Sequence, residues 1–166
     1  KLRPEYIAMP HGTYSLENLQ VLERYNFKGL FGLHSGVAYP DKNQLVQPRF
    51  SLTNGYGSLD RFSLISRAKP LYLDKITPSD PFITGGSDLA VGFNVAHHEG
   101  DKNIFCFASE LGKLDLTKIG EERYEIRFDR EMLAAGRLRI NCTQACADTP
   151  SENCTSWHGM MFTIAE

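Results

Sequence analysis

Tyr124-Glu125-Ile126-Arg127-Phe128 alternates apolar and charged side chains without a break, putting Tyr124, Ile126 and Phe128 on one face and Glu125 and Arg127, followed by Asp129, on the other. A period of two is the signature of a strand with one wet face. On either side, short apolar runs recur between turn residues: Leu89–Val95, Asn103–Ala108, Lys113–Lys118, Leu138–Cys142 and Gly159–Ile164, with breaks such as Glu99-Gly100-Asp101-Lys102 and Ile119-Gly120-Glu121. Many short strands at even spacing predict a small antiparallel β-sandwich or barrel over residues 89–166. A β part of about 80 residues is near the size at which a core alone is marginal, so covalent staples are expected there.

All four cysteines lie in that part, at 106, 142, 146 and 154. Cys146 and Cys154 bracket a polar loop and suit a disulfide, which leaves Cys106 and Cys142 on two expected strands. The alternative is a zinc site, but Cys142-x-x-x-Cys146 has no matching second pair of ligands. Disulfides persist in an oxidising place, so the periplasm, the cell envelope or the exterior is expected.

Upstream the pattern changes. Thr77-Pro78-Ser79-Asp80-Pro81 and Gly85-Gly86-Ser87-Asp88 lack periodicity and predict a linker over residues 77–88. Residues 1–76 read as alternating strands and helices. Tyr6–Met9 is a short strand stopped by Pro10-His11-Gly12. Ser15 then caps a helix carrying Leu16, Leu19, Leu22 and Tyr25, and Lys28–Leu33 is a buried strand. Pro48–Leu52 is a further strand, and Ser58 caps a second helix with Leu59, Phe62, Leu64 and Ile65 turned inward.

Composition narrows the function. The chain has 166 residues, 42% hydrophobic and 23% charged, enough apolar material for a packed core. A formal net charge of −2 leaves no basic surplus for phosphates, so nucleic acid is not an expected partner. No apolar run approaches the length of a membrane span. The first residue is Lys1, and the chain is expected to be processed or excised.

Ala8-Met9-Pro10-His11-Gly12-Thr13-Tyr14-Ser15, with Leu19, Leu22 and Phe27-Lys28 after it, resembles a segment of the bacterial polysaccharide deacetylases of NodB homology. His34-Ser35-Gly36, Gln47-Pro48-Arg49-Phe50 and Tyr56-Gly57-Ser58-Leu59-Asp60-Arg61-Phe62 are similar to later stretches of an envelope-associated branch. Cys106-Phe107-Ala108-Ser109, Arg139–Thr143 and Trp157–Phe162 are similar to the small β domain that follows in that branch. The resemblance implies the C-terminal part of a distorted parallel β/α barrel over residues 1–76, followed by a small disulfide-linked antiparallel β-sandwich. It also implies hydrolysis of acetamide groups on an N-acetylated polysaccharide, using a divalent metal such as zinc. In the family one Asp and two His hold the metal and a second Asp acts as base. Those ligands precede the Pro-Tyr-Gly-like motif, so they are expected in a missing N-terminal part, on the same precursor or another chain. This chain alone is expected to hold no cofactor and to be inactive. The alternative is a non-catalytic carbohydrate-binding or structural module of the cell envelope.

The resemblance assigns His11 a role through its backbone N–H as an oxyanion donor, against a plain Pro-Gly turn. Pro10 and Tyr14 belong to the same motif and are the expected substrate contacts. Arg49, after Pro48 at a strand end, could orient a catalytic carboxylate by a bidentate pair, or make only a surface ion pair. His34 follows a buried strand and either faces the same cavity or caps a loop. Trp157, with Tyr124 and Phe105, could form a sugar-stacking platform, although core packing is the commoner fate of such rings. His97-His98-Glu99-Gly100-Asp101 is read as a solvated hairpin, because adjacent imidazoles on a strand point to opposite faces.

Overall fold

The computed structural model describes residues 3–40, 45–53, 55–84, 88–96, 103–146 and 154–165. Its elements, in chain order, are β1 Tyr6–Ala8, α1 Leu16–Glu23, β2 Gly29–Phe31, β3 Val46–Gln47, α2 Leu59–Ser66, β4 Lys69–Pro70, β5 Leu73–Thr77, β6 Phe82–Ile83, β7 Leu89–Val95, β8 Phe105–Ala108, β9 Gly112–Leu114, β10 Thr117–Ile119, β11 Arg123–Phe128, β12 Gly136–Ala145 and β13 Thr155–Ile164. Strand accounts for 42% of the described residues and helix for 15%.

The first three strands form a parallel sheet in the order β1-β2-β3. Helix α1 connects β1 to β2, starting from a reciprocal Ser15–Asn18 capping box. It packs Leu19 with Met9, Leu30 and Val46 into a small separate core. Helix α2 is capped by Ser58 but buries only Ile65; Leu59 and Phe62, expected to face inward, are exposed. The expected strand at Pro48–Leu52 is displaced to Val46–Gln47. A β/α barrel is not what forms: the chain is mostly β, and its described residues hold two α-helices. The strand-helix-strand pattern fixes only a local crossover. With strands of 3, 3 and 2 residues, nothing in it specifies closure.

The rest of the chain makes two sheets around one core. One has the order β10-β11-β7-β5; the other runs β4-β13-β12-β8-β9, with β6 also on β13. Val91, Phe93, Ile126 and Phe128 from the first meet Cys106, Ile140, Cys142 and Phe162 from the second, as a sandwich requires. The alternation of 124–128 is realised in β11, where Ile126 and Phe128 are buried and Arg127 is exposed. Both expected disulfides form, Cys106–Cys142 across the directly paired β8 and β12, and Cys146–Cys154 before β13.

The expected linker is part of this sandwich. Leu73–Thr77 pairs with β7 as an edge strand, and Phe82–Ile83, inside 77–88, pairs with β13. Their signal is weak because β5 carries Asp74 and Lys75 and shifts register between Asp74 and Thr77. Arg123 of β11 holds it in place, donating to the Lys75 carbonyl (2.9 Å) and to Thr77 Oγ1 (2.6 Å). Residues 85–87 and the His97–Asp101 hairpin lie outside the described residues.

The parallel unit docks its carboxyl edge on β13. Gly159 of β13 lies under Ser35: a Cβ there would fall on the Ser35 carbonyl oxygen, 2.9 Å from its carbon and 3.0 Å from its nitrogen. Phe50 meets Trp157 edge to face at 5.2 Å. Arg137 of β12 donates to the His11 carbonyl, and Asp80 accepts from the N–H of Leu16, the first residue of α1.

Candidate functional site

The docking leaves a cavity of about 420 Å3 at the seam. Its origin is a gap in the second sheet. Strand β4 pairs with β13 at Ser156 and Trp157, and β6 pairs with it at Thr163 and Ile164. Between these contacts the chain leaves to build β5 in the other sheet. The edge of β13 from residue 158 to residue 162 therefore faces the cavity, closed from the other side by Tyr14, Leu19, His34 and Val46.

His34 follows β2 and is 7% exposed. Its ring lies over Gly32, where a Cβ would be 2.6 Å from Nδ1, so glycine makes its room. Burial, and then the nearby His158, lower its pKa to about 4, so the imidazole is neutral at physiological pH. No hydrogen bond engages its ring nitrogens among the described residues. His158 is also buried. Its Nδ1 lies 3.1 Å from the Leu71 carbonyl, which can only accept, so in the neutral ring the proton sits on Nδ1. Tyr14 roofs the cavity; burial and then the charge of Asp80 push its phenol up from the ordinary value. Asp80 is held by the N–H groups of Leu16 (3.3 Å) and Phe82 (2.9 Å). Tyr39 lines the wall with its ring against Tyr72 at 4.9 Å.

The structure thus brings together Tyr14 and His34 and places the other expected site residues elsewhere. Pro10 and His11 form a tight turn after β1 in which His11 is exposed at φ 55, a left-handed conformation that costs a non-glycine residue energy. Arg49 donates through Nε to the Gly32 carbonyl at 2.6 Å, so a main-chain group takes the place expected for a carboxylate. It ties the end of β3 to the end of β2. Trp157 donates to Asn141 Oδ1 at 3.1 Å and packs on Phe50. It forms no joint platform with Tyr124, which stacks on Phe93 in the other sheet. Phe105 is 41% exposed on β8, with Lys113 Nζ 4.8 Å from its ring centre.

A divalent metal of the kind the resemblance implies does not fit these residues. Among the described residues no three His, Cys, Asp or Glu side chains are gathered for an ion, and His34 with His158 makes only a pair.

His158, Gly159 and Asp80 were not singled out from the sequence, although two of them left a signal. His158 alternates with Met160 and Phe162 on the core-facing side of an apolar strand, and a glycine inside a strand marks close backbone approach. Asp80 lacks one, because the N–H it accepts belongs to a residue 64 positions away.

No protein-family model matches the chain, and no curated protein matches it. Among solved structures it is similar to the endo-beta-1,4-mannanase from Thermotoga petrophila, with a TM-score of 0.45 and 10% identity. The match covers 89% of this chain and 34% of that one, so the chain spans about a third of the mannanase's length. A likeness of that degree carries neither fold nor function across. The two disulfides indicate an oxidising compartment, and no described helix is long and apolar enough to cross a membrane.

Proposed function

We propose that this chain is a portion of a metal-dependent polysaccharide deacetylase of the cell envelope, acting on N-acetylated sugars, with the metal and its ligands contributed from outside these residues. The observation that carries the proposal is the position of the candidates on the parallel unit. Pro10 and His11 follow β1, His34 follows β2 and Arg49 follows β3, so all sit beyond the carboxyl ends of three consecutive parallel strands. Open α/β sheets bind their ligands at that end. The His11 N–H is the oxyanion donor in this scheme, and the left-handed turn fixes its direction.

Acetate release from chitooligosaccharides is the test. The 166-residue chain supplied with zinc or cobalt should release none, and a longer protein that includes the ligand-bearing residues should release it. Activity from the short chain alone, or an inert longer protein, would overturn the proposal. A second reading, a carbohydrate-binding module without catalysis, is favoured by the exposed Phe105 and Phe107 on one face of β8. In that case sugar binding should weaken in Phe107→Ala and be unaffected by His34→Ala at the seam.

A further inference from the structure

We propose that the seam cavity binds a single uncharged sugar unit bearing an acetamide group, with His34 as its hydrogen-bonding anchor. In naming an N-acetylated sugar the proposal rests on the deacetylase reading; the preference for a neutral amide rests on the cavity alone. At about 420 Å3 the cavity falls in the size range of small-molecule sites, roughly 300–1,000 Å3.

Its walls are apolar where a sugar ring would lie, with Leu19, Leu73, Met160 and Phe162 beside the rings of Tyr14 and Tyr39. Its polar groups are few. His34 is buried, lines the cavity and has no hydrogen bond to its ring nitrogens among the described residues, so they are open to a ligand. A neutral imidazole offers one donor and one acceptor, which suits a hydroxyl or an amide.

The edge of β13 adds main-chain groups. The Trp157 carbonyl accepts from Leu71, and the Thr163 N–H donates to Pro81. Strand alternation sends the N–H and C=O of Met161 to that same edge, in the gap between β4 and β6 and past Gly159, which the Ser35 backbone covers. An acetamide has the donor and acceptor of a peptide group and can pair there as an added strand does.

Charge argues against ionic ligands. Burial keeps the His34 imidazole neutral at neutral pH, Asp80 is already tied to two N–H groups, and Asp74 and Lys75 are exposed and opposite in sign. A buried ion would have no partner there.

Calorimetric titration of the intact chain with N-acetylglucosamine and with glucosamine tests this, alongside the ring-nitrogen NMR resonances of His34. N-acetylglucosamine should bind and shift the His34 resonances, and glucosamine, with an ammonium in place of the acetamide, should bind at least about tenfold more weakly. His34→Ala should weaken N-acetylglucosamine binding by about tenfold. Gly32→Ala, which displaces the ring without removing the imidazole, should do the same in a protein whose melting confirms the fold. Equal affinity for the two sugars, binding without a shift at His34, or no binding overturns the proposal. If the longer protein releases acetate while His34 is silent, this site fails and the deacetylase reading stands. If His34 responds to the acetamide sugar while the longer protein is inert, the site stands and the deacetylase reading fails.

Discussion

Replacing Gly159 with alanine sets two effects of opposite sign against each other. Removing a glycine from a strand ordinarily stabilises by about 0.4–1 kcal/mol, because the unfolded chain loses freedom. Here the added methyl would land on the Ser35 carbonyl oxygen, with the carbonyl carbon at 2.9 Å and the amide nitrogen at 3.0 Å. All three atoms are backbone, so no rotamer relieves the clash, and the loop carrying His34 must lift by roughly 1 Å or more to restore ordinary contact. Overpacking costs about 1–3 kcal/mol, and a main-chain collision belongs at the upper end, leaving a net loss of about 2 kcal/mol. Urea unfolding followed by circular dichroism should show the midpoint falling by about 1 M for a chain of this size. Gly55, whose Cβ would meet nothing within 4 Å, supplies the control, and Gly55→Ala should be neutral or slightly stabilising. If Gly159→Ala matches the wild type or exceeds it, the parallel unit does not sit on β13 as described.

The two disulfides should differ in their contribution. They close separations of 36 and 8 residues, for which chain entropy gives about 4 and 2.5 kcal/mol. Paired alanines at 106 and 142 should therefore lower stability more than paired alanines at 146 and 154, measured in the same denaturant. His34 makes stability depend on pH: its folded pKa of about 4 lies below the unfolded value of 6.5, so the unfolded chain binds more protons between them. Stability should be full above pH 6.5 and fall by on the order of 3 kcal/mol toward pH 4, and His34→Gln should flatten that slope. Asp80→Asn keeps an acceptor for Leu16 and Phe82 but removes the charge beside Tyr14. It should bring the Tyr14 phenol back toward its ordinary range, seen in tyrosinate absorbance, whereas an unchanged titration would deny the contact.

The β half was legible because its signals are local. Tyr124–Phe128 announced β11 through alternation, and 89–95 was found to the residue because a largely apolar run, broken only by Asn94, needs no partner to be recognised. β12 and β13 run to 10 residues each, longer than expected, since Thr143, Gln144 and Ser156 extend the ladder without apolar alternation. The first half misled for a physical reason. A capped helix between two short strands is satisfied by any parallel crossover, so residues 6–33 carried no information on whether the sheet would close. What the sequence could not display was the seam. Tyr14 and His34 were recognisable as polar residues near strand ends, but the wall opposite them depends on β4 and β6 gripping β13 at two points and leaving residues 158–162 open between them. That gap arises from pairings some 80 residues apart.

A crystal of the chain soaked with N,N'-diacetylchitobiose tests the site most directly. One N-acetylglucosamine unit is expected in the seam cavity, its acetamide against the β13 edge at Met161 and a polar atom within hydrogen-bond distance of the His34 ring. Sugar bound on the outer face at Phe105 and Phe107 with the cavity empty would contradict it.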